Sequence, residues 1–175
     1  MLRTGSLLVF TIGIALSSCQ KPEEYPIIPS LEFKSIYTDK DTGGYDQDVV
    51  IVTGFTDGDG DIGYYSVESG QNDPIFDDPH SEYYNNYKVT KFQRKNGVWV
   101  KDSLAADGSV LNLDGRLYYM TPSGSNKALK GEIKRTVSVD VGLNRDTFRY
   151  DVFIYDRGLH KSNVITTDPI VLTTR

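Results

Sequence analysis

From Leu31 to the C-terminus no window keeps apolar residues at helical spacing, because glycine or proline interrupts every candidate. The apolar residues must then be buried by strands, and strand patterns are plentiful. Residues 47–55, QDVVIVTGF, form a short β-branched run bounded by turn residues, which predicts a buried central strand. Ile133, Arg135, Val137, Val139 and Val141 alternate with polar residues, as do Phe148, Tyr150, Val152 and Ile154. Residues 164–172 predict a last strand, with Pro169 placing it at an edge or a bulge.

Asn96-Gly97 is the strongest hairpin signal in the chain, since both residues accept the positive φ of a type I′ turn. Its flanks, 87–95 and 98–103, read as paired strands, and 64–68 and 116–120 as two further short ones. About eight or nine strands with turn punctuation predict an all-β fold, most simply an immunoglobulin-like antiparallel β-sandwich. A closed barrel is the alternative. Residues 69–81 and 104–115 read as long loops.

The first twenty residues, MLRTGSLLVFTIGIALSSCQ, follow a different rule. One early cation, Arg3, precedes an apolar run from Leu7 to Leu16 and then two serines, the layout of an export signal. The run is too short to span a bilayer. Leu16-Ser17-Ser18-Cys19 resembles the bacterial lipobox, whose cysteine becomes acylated, and Cys19 is the only cysteine in the chain. Acylation consumes a thiol that would otherwise be a liability outside the cell. The expected organisation is a lipoprotein signal peptide at 1–18, a tether at 19–30 holding Pro22, Pro26 and Pro29, and one domain at 31–175. Multiple acyl chains anchor the protein to a membrane without spanning it. Gln20-Lys21-Pro22-Glu23-Glu24 resembles the acidic signal that sends lipoproteins of Bacteroidota-type bacteria to the outer face of the outer membrane; a solvated acidic linker is the alternative.

The stretch FTDGDGDIGYY sets Asp57, Asp59 and Asp61 on alternate positions. Three carboxylates within about 7 Å repel one another, and their pKa values rise unless a cation sits between them. Hard oxygen ligands at this spacing suit calcium. Counted from Asp57, the loop matches an EF-hand at positions one, three, five and twelve (Glu68), but the glycine required at six is Ile62. The flanks also read as strands, so a calcium site in a β-loop is the expectation, against a solvated Asp-Gly turn. In an immunoglobulin-like sandwich this loop joins the second and third strands. The loop after 148–155 lies at the same end, which makes Asp156 a possible fourth ligand and Arg157 a competing counter-charge.

The order FTDGDGDIG, FQRKNGVWV, LYYMTPSGSNKALKGEI and DTFRYDVFIYDRGLHKSNVITTDPIVL resembles a family of uncharacterised outer-membrane lipoproteins of Bacteroidota-type bacteria. The resemblance implies an exported, lipid-anchored, immunoglobulin-like domain and brings no activity with it.

A net charge of −5 excludes nucleic acid as a natural partner. The catalytic inventory is two histidines, His80 and His160, both in expected loops, with no nucleophile or phosphate-loop motif. Twelve tyrosines, several adjacent, favour binding of a glycan or a surface protein, with Tyr83, Tyr84 and Trp99 as the candidate platform. Tyrosine is equally at home in half-buried strands, and adjacent tyrosines on a strand point to opposite faces. A purely structural spacer is the alternative function, and a hydrolase a remoter one.

Overall fold

The computed structural model describes residues 23–65, 71, 73–105 and 107–175. The leader, Cys19 and Glu68 lie outside the described residues. The described strands are β1 (Ser30–Lys40), β2 (Asp46–Asp57), β3 (Tyr87–Lys95), β4 (Val98–Asp102), β5 (Leu129–Ser138), β6 (Asn144–Ile154), β7 (Ile165–Thr166) and β8 (Ile170–Thr173), with one helical turn, α1 (Pro74–Asp77).

β2 lies between β1 and β5 in one antiparallel sheet. The second sheet runs β4-β3-β6, with β7 and β8 both pairing along β6. This is an all-β sandwich. Its strand order matches an immunoglobulin-like A-B-E sheet packed on a C′-C-F-G sheet, with β2 as B, β3 as C and β6 as F. Alternation explains the core. Val49, Ile51 and Phe55 of β2 face Phe148, Tyr150, Val152 and Ile154 of β6, with Leu31, Ile133, Val137 and Leu172 closing the layer. Val50 and Val52 point to the outer face of β2 and are buried too, flanked by Tyr37 and Ser35 of β1 and Thr136 and Lys134 of β5.

The Asn96-Gly97 turn forms as expected, with positive φ at both residues and Lys95 opposite Val98. Other boundaries differ from the sequence reading. The last strand is split at Asp168-Pro169 into β7 and β8, because proline lacks the ladder donor. Residues 116–120 contribute only a bridge between Tyr118 and Tyr64. β5 starts at Leu129 and ends before Val139 and Val141. The loop expected at 69–81 contains α1, which begins at Pro74 and buries Phe76.

Polar groups are also driven inside by alternation. Lys91 follows Tyr87 and Val89 on the inner face of β3 and is 5% exposed. Its ammonium is held 2.7 Å from Asp140 and 3.0 Å from Asp102, with the Phe148 ring 4.5 Å away. Asn86, fully buried, accepts from Leu117 N–H (2.6 Å) and donates to Leu117 C=O (3.2 Å), which ties the 116–120 segment to the start of β3.

Candidate metal centre

Asp57 has the same parity as Val49, Ile51 and Phe55, so the last residue of β2 sends a carboxylate into the end of the sandwich. It is fully buried. The chain then turns back on itself: Asp61 N–H donates to Asp57 Oδ2 at 2.9 Å. The loop after β6 meets it from the other sheet. Gly158 N–H donates to Asp61 Oδ2 (2.8 Å), Arg157 N–H donates to Asp61 C=O (3.1 Å), and Ile62 bridges to Asp156. The two loops therefore share one end, as the sandwich predicted.

Asp57, Asp59 and Asp61 each present a carboxylate oxygen within 4.8 Å of the others. Asp57 Oδ1 and Asp61 Oδ1 are buried and have no hydrogen-bond donor. Burial, reinforced by the charges of Asp59 and Asp61, pushes the Asp57 carboxyl up to about 7. Burial, with the charges of Asp156 and Asp59, pushes Asp61 up to about 6. Asp59 is exposed and Asp61 half-buried, so the site opens to solvent on one side; the donor-free oxygens of Asp57 and Asp61 still repel unless something positive completes it.

Arg157 does not complete it. Its guanidinium donates to Gly63 C=O (2.5 Å) and Thr121 Oγ1 (2.8 Å) and packs 4.7 and 4.9 Å from the rings of Tyr65 and Tyr119. Its charge does lower the Asp61 pKa, but less than burial and the neighbouring carboxylates raise it. Asp156 is fully buried beside the cluster, but both its oxygens serve His160: Oδ1 accepts from the backbone N–H (2.7 Å) and Oδ2 lies 3.0 Å from Nδ1. Burial raises the Asp156 pKa against these bonds, and its hydrogen bond raises that of His160.

Backbone crowding accounts for the glycines. Gly60 has φ +67°, and a Cβ there would stand 1.9 Å from Lys127 C=O. Gly60 C=O also accepts from the Thr121 hydroxyl. Gly60→Ala combines a left-handed backbone with a clash against main chain, so we expect a loss of at least about 2 kcal/mol, read as a lower denaturation midpoint. A midpoint equal to that of the parent contradicts this packing.

The proposed platform residues do not converge. Tyr83 and Tyr84 are half-buried at the metal-loop end. Tyr83 packs edge-on against Tyr155, and Tyr84 stacks on Arg116, whose other face covers Tyr64. Trp99 sits opposite Arg94 near the far hairpin, 4.7 Å from Arg149 on the outer sheet face. Seven residues of β3 separate the two groups, about 23 Å. Sequence reasoning did not find Thr121, the Arg116 stack or the stacked Tyr65–Tyr119 pair with Arg157 beside it. Each joins residues tens of positions apart, and no local pattern marks them.

No protein-family model, curated protein or solved structure matches the chain. What the site can do follows from its own atoms.

Proposed function

We propose that this protein is a lipid-anchored cell-surface β-sandwich whose acidic loop holds one calcium ion, and that it serves in binding a glycan or protein or in assembling a surface complex. The observation that carries the calcium reading is the pair of buried, donor-free oxygens on Asp57 and Asp61, set against Asp59. The donors are all oxygen, which selects a hard cation over zinc or copper. An irregular loop suits calcium's loose coordination better than magnesium's strict octahedron. Asp57, Asp59 and Asp61 hold the ion; Asp156 adds negative charge beside it and becomes a ligand only by leaving His160. The ion fixes the loop after β2 against the loop after β6.

The anchor reading rests on the LSSC sequence and the family resemblance. Cys19→Ala leaves the protein unprocessed or soluble in membrane fractionation; unchanged fractionation refutes acylation. For partner binding, the outer face of the second sheet offers Trp99, Phe92 and Arg149. A spacer role is the second reading, favoured by the separation of Trp99 from Tyr83 and Tyr84. The His160–Asp156 pair is the sole support for a hydrolase.

Thermal melts test the calcium reading. The midpoint rises on going from chelator to millimolar calcium, and rises much less with magnesium; the same midpoint in both refutes it. The pH dependence carries a distinct sign. In chelator, folded Asp57 and Asp61 hold protons up to about 7 and about 6, whereas the unfolded carboxylates release them near 4. The folded state thus binds more protons across that window, and stability falls as pH rises from about 5 to 7. The raised pKa of His160 acts in the same direction. Calcium needs the deprotonated ligands, so the slope flattens or reverses when the ion is present. Identical slopes with and without calcium contradict the site.

A further inference from the structure

The chain enters the sandwich against the acidic loop. Gly58, between Asp57 and Asp59, donates its N–H to Pro26 C=O at 2.8 Å, and a Cβ there would stand 2.2 Å from Tyr25 C=O. Five residues later, Leu31 is clamped by Asn163, which accepts from its N–H (2.7 Å) and donates to its C=O (2.9 Å). Between these two anchor points Ile27 and Ile28 are 56% and 52% exposed. At the same end, Tyr118 crowds Gly63, and Tyr118 and Tyr119 are 64% and 44% exposed.

We infer that this end of the sandwich rests on the lipid bilayer, with Ile27, Ile28, Tyr118 and Tyr119 in the membrane interface. The inference rests on the lipid anchor at Cys19 proposed above. Tyr25 lies six positions beyond Cys19, so the leash is at most about 22 Å long. β2 alone has 12 residues and spans about 40 Å. A docked tether therefore holds the acidic-loop end next to the anchor and leaves the Asn96-Gly97 hairpin on the far side. Freed as far as Ser30, the leash would be 11 residues, about 36–40 Å, as long as the domain itself, and the orientation would be lost. The exposed groups suit that neighbour. Isoleucine side chains enter the acyl boundary, and tyrosine is favoured at headgroup level. A calcium ion on the three aspartates offsets most of the charge that would repel anionic headgroups.

Acylation of Cys19 leaves any introduced cysteine as the single thiol, which makes site-specific labelling direct. The full lipidated chain is placed in vesicles of phosphatidylethanolamine and phosphatidylglycerol containing brominated acyl chains, with calcium present. An environment-sensitive dye at Tyr118→Cys is quenched several-fold more than one at Val98→Cys, which is 65% exposed beside the far hairpin. Gly58→Ala, which ejects the tether from the loop, narrows that difference. Ile27→Ser with Ile28→Ser, which leaves the loop intact, lowers quenching at 118 and not at 98. Equal quenching at both labels in vesicle-bound protein overturns the orientation alone. Protein that does not float with the vesicles overturns the anchor, and the orientation with it.

Discussion

In chelator, Asp57→Asn melts at a higher temperature than the parent protein, and its midpoint no longer responds to calcium. A substitution that removes a buried functional group normally destabilises, so the sign is informative. Here the parent carboxylate is fully buried, its Oδ1 has no donor, and burial with two like charges lifts it to about 7. Above neutral pH that ionised carboxylate is under electrostatic strain that the amide lacks, and we expect a gain on the order of 2 kcal/mol. Asparagine keeps an oxygen for the Asp61 N–H, so the turn survives. With calcium the order inverts. The parent gains about 2.7 kcal/mol at a hundredfold excess over Kd, and the variant gains almost none. Destabilisation of equal size in chelator and in calcium would make Asp57 an ordinary structural acid.

Lys91→Ala lowers stability by about 3 kcal/mol, read from the shift of the denaturant midpoint. The lysine pairs with two carboxylates at the far end of the core, Asp102 and Asp140, which are about a fifth to a quarter exposed. Removing it leaves two like charges facing each other across the end of the sandwich. The buried Tyr150 hydroxyl already has its pKa raised by burial and by Asp140 and Asp102. Lys91→Met keeps the stem that packs on Phe148 and loses less, which separates lost packing from lost charge. A midpoint within about 0.5 kcal/mol of the parent for Lys91→Ala would show that solvent screens the pair.

The parts of this fold legible in the sequence are those coded by neighbours. The β2 run is bounded by its own turn residues, β6 alternates cleanly, and Asn96-Gly97 specifies a two-residue turn by itself. The meeting of the two metal-end loops was legible at one remove, because assigning β2 and β6 as the second and sixth strands of a sandwich brings them together. β1 carries no such signal: register irregularities between Phe33 and Ser35 and near Lys40 break its alternation, and most of its residues are outside the core. A lysine on the inner face of β3 makes sense only through its acidic partners, Asp102 on the next strand and Asp140, which is 49 residues away. The expected fold places Arg157 near the aspartates, but sequence does not show where its guanidinium points. The same limit applies to Asp156, whose carboxylate is held by its own i+4 partner, His160. Asp156 is expected as a fourth ligand; the fold brings it beside the cluster, but its oxygens face His160, and the carboxylates that converge are Asp57, Asp59 and Asp61.

Calorimetric titration of calcium into the chelator-stripped protein tests the central claim most directly. The account predicts saturable binding of one ion per chain, abolished in Asp57→Asn/Asp61→Asn and nearly absent with magnesium. No binding up to several millimolar calcium, or equal binding by the double variant, would contradict it.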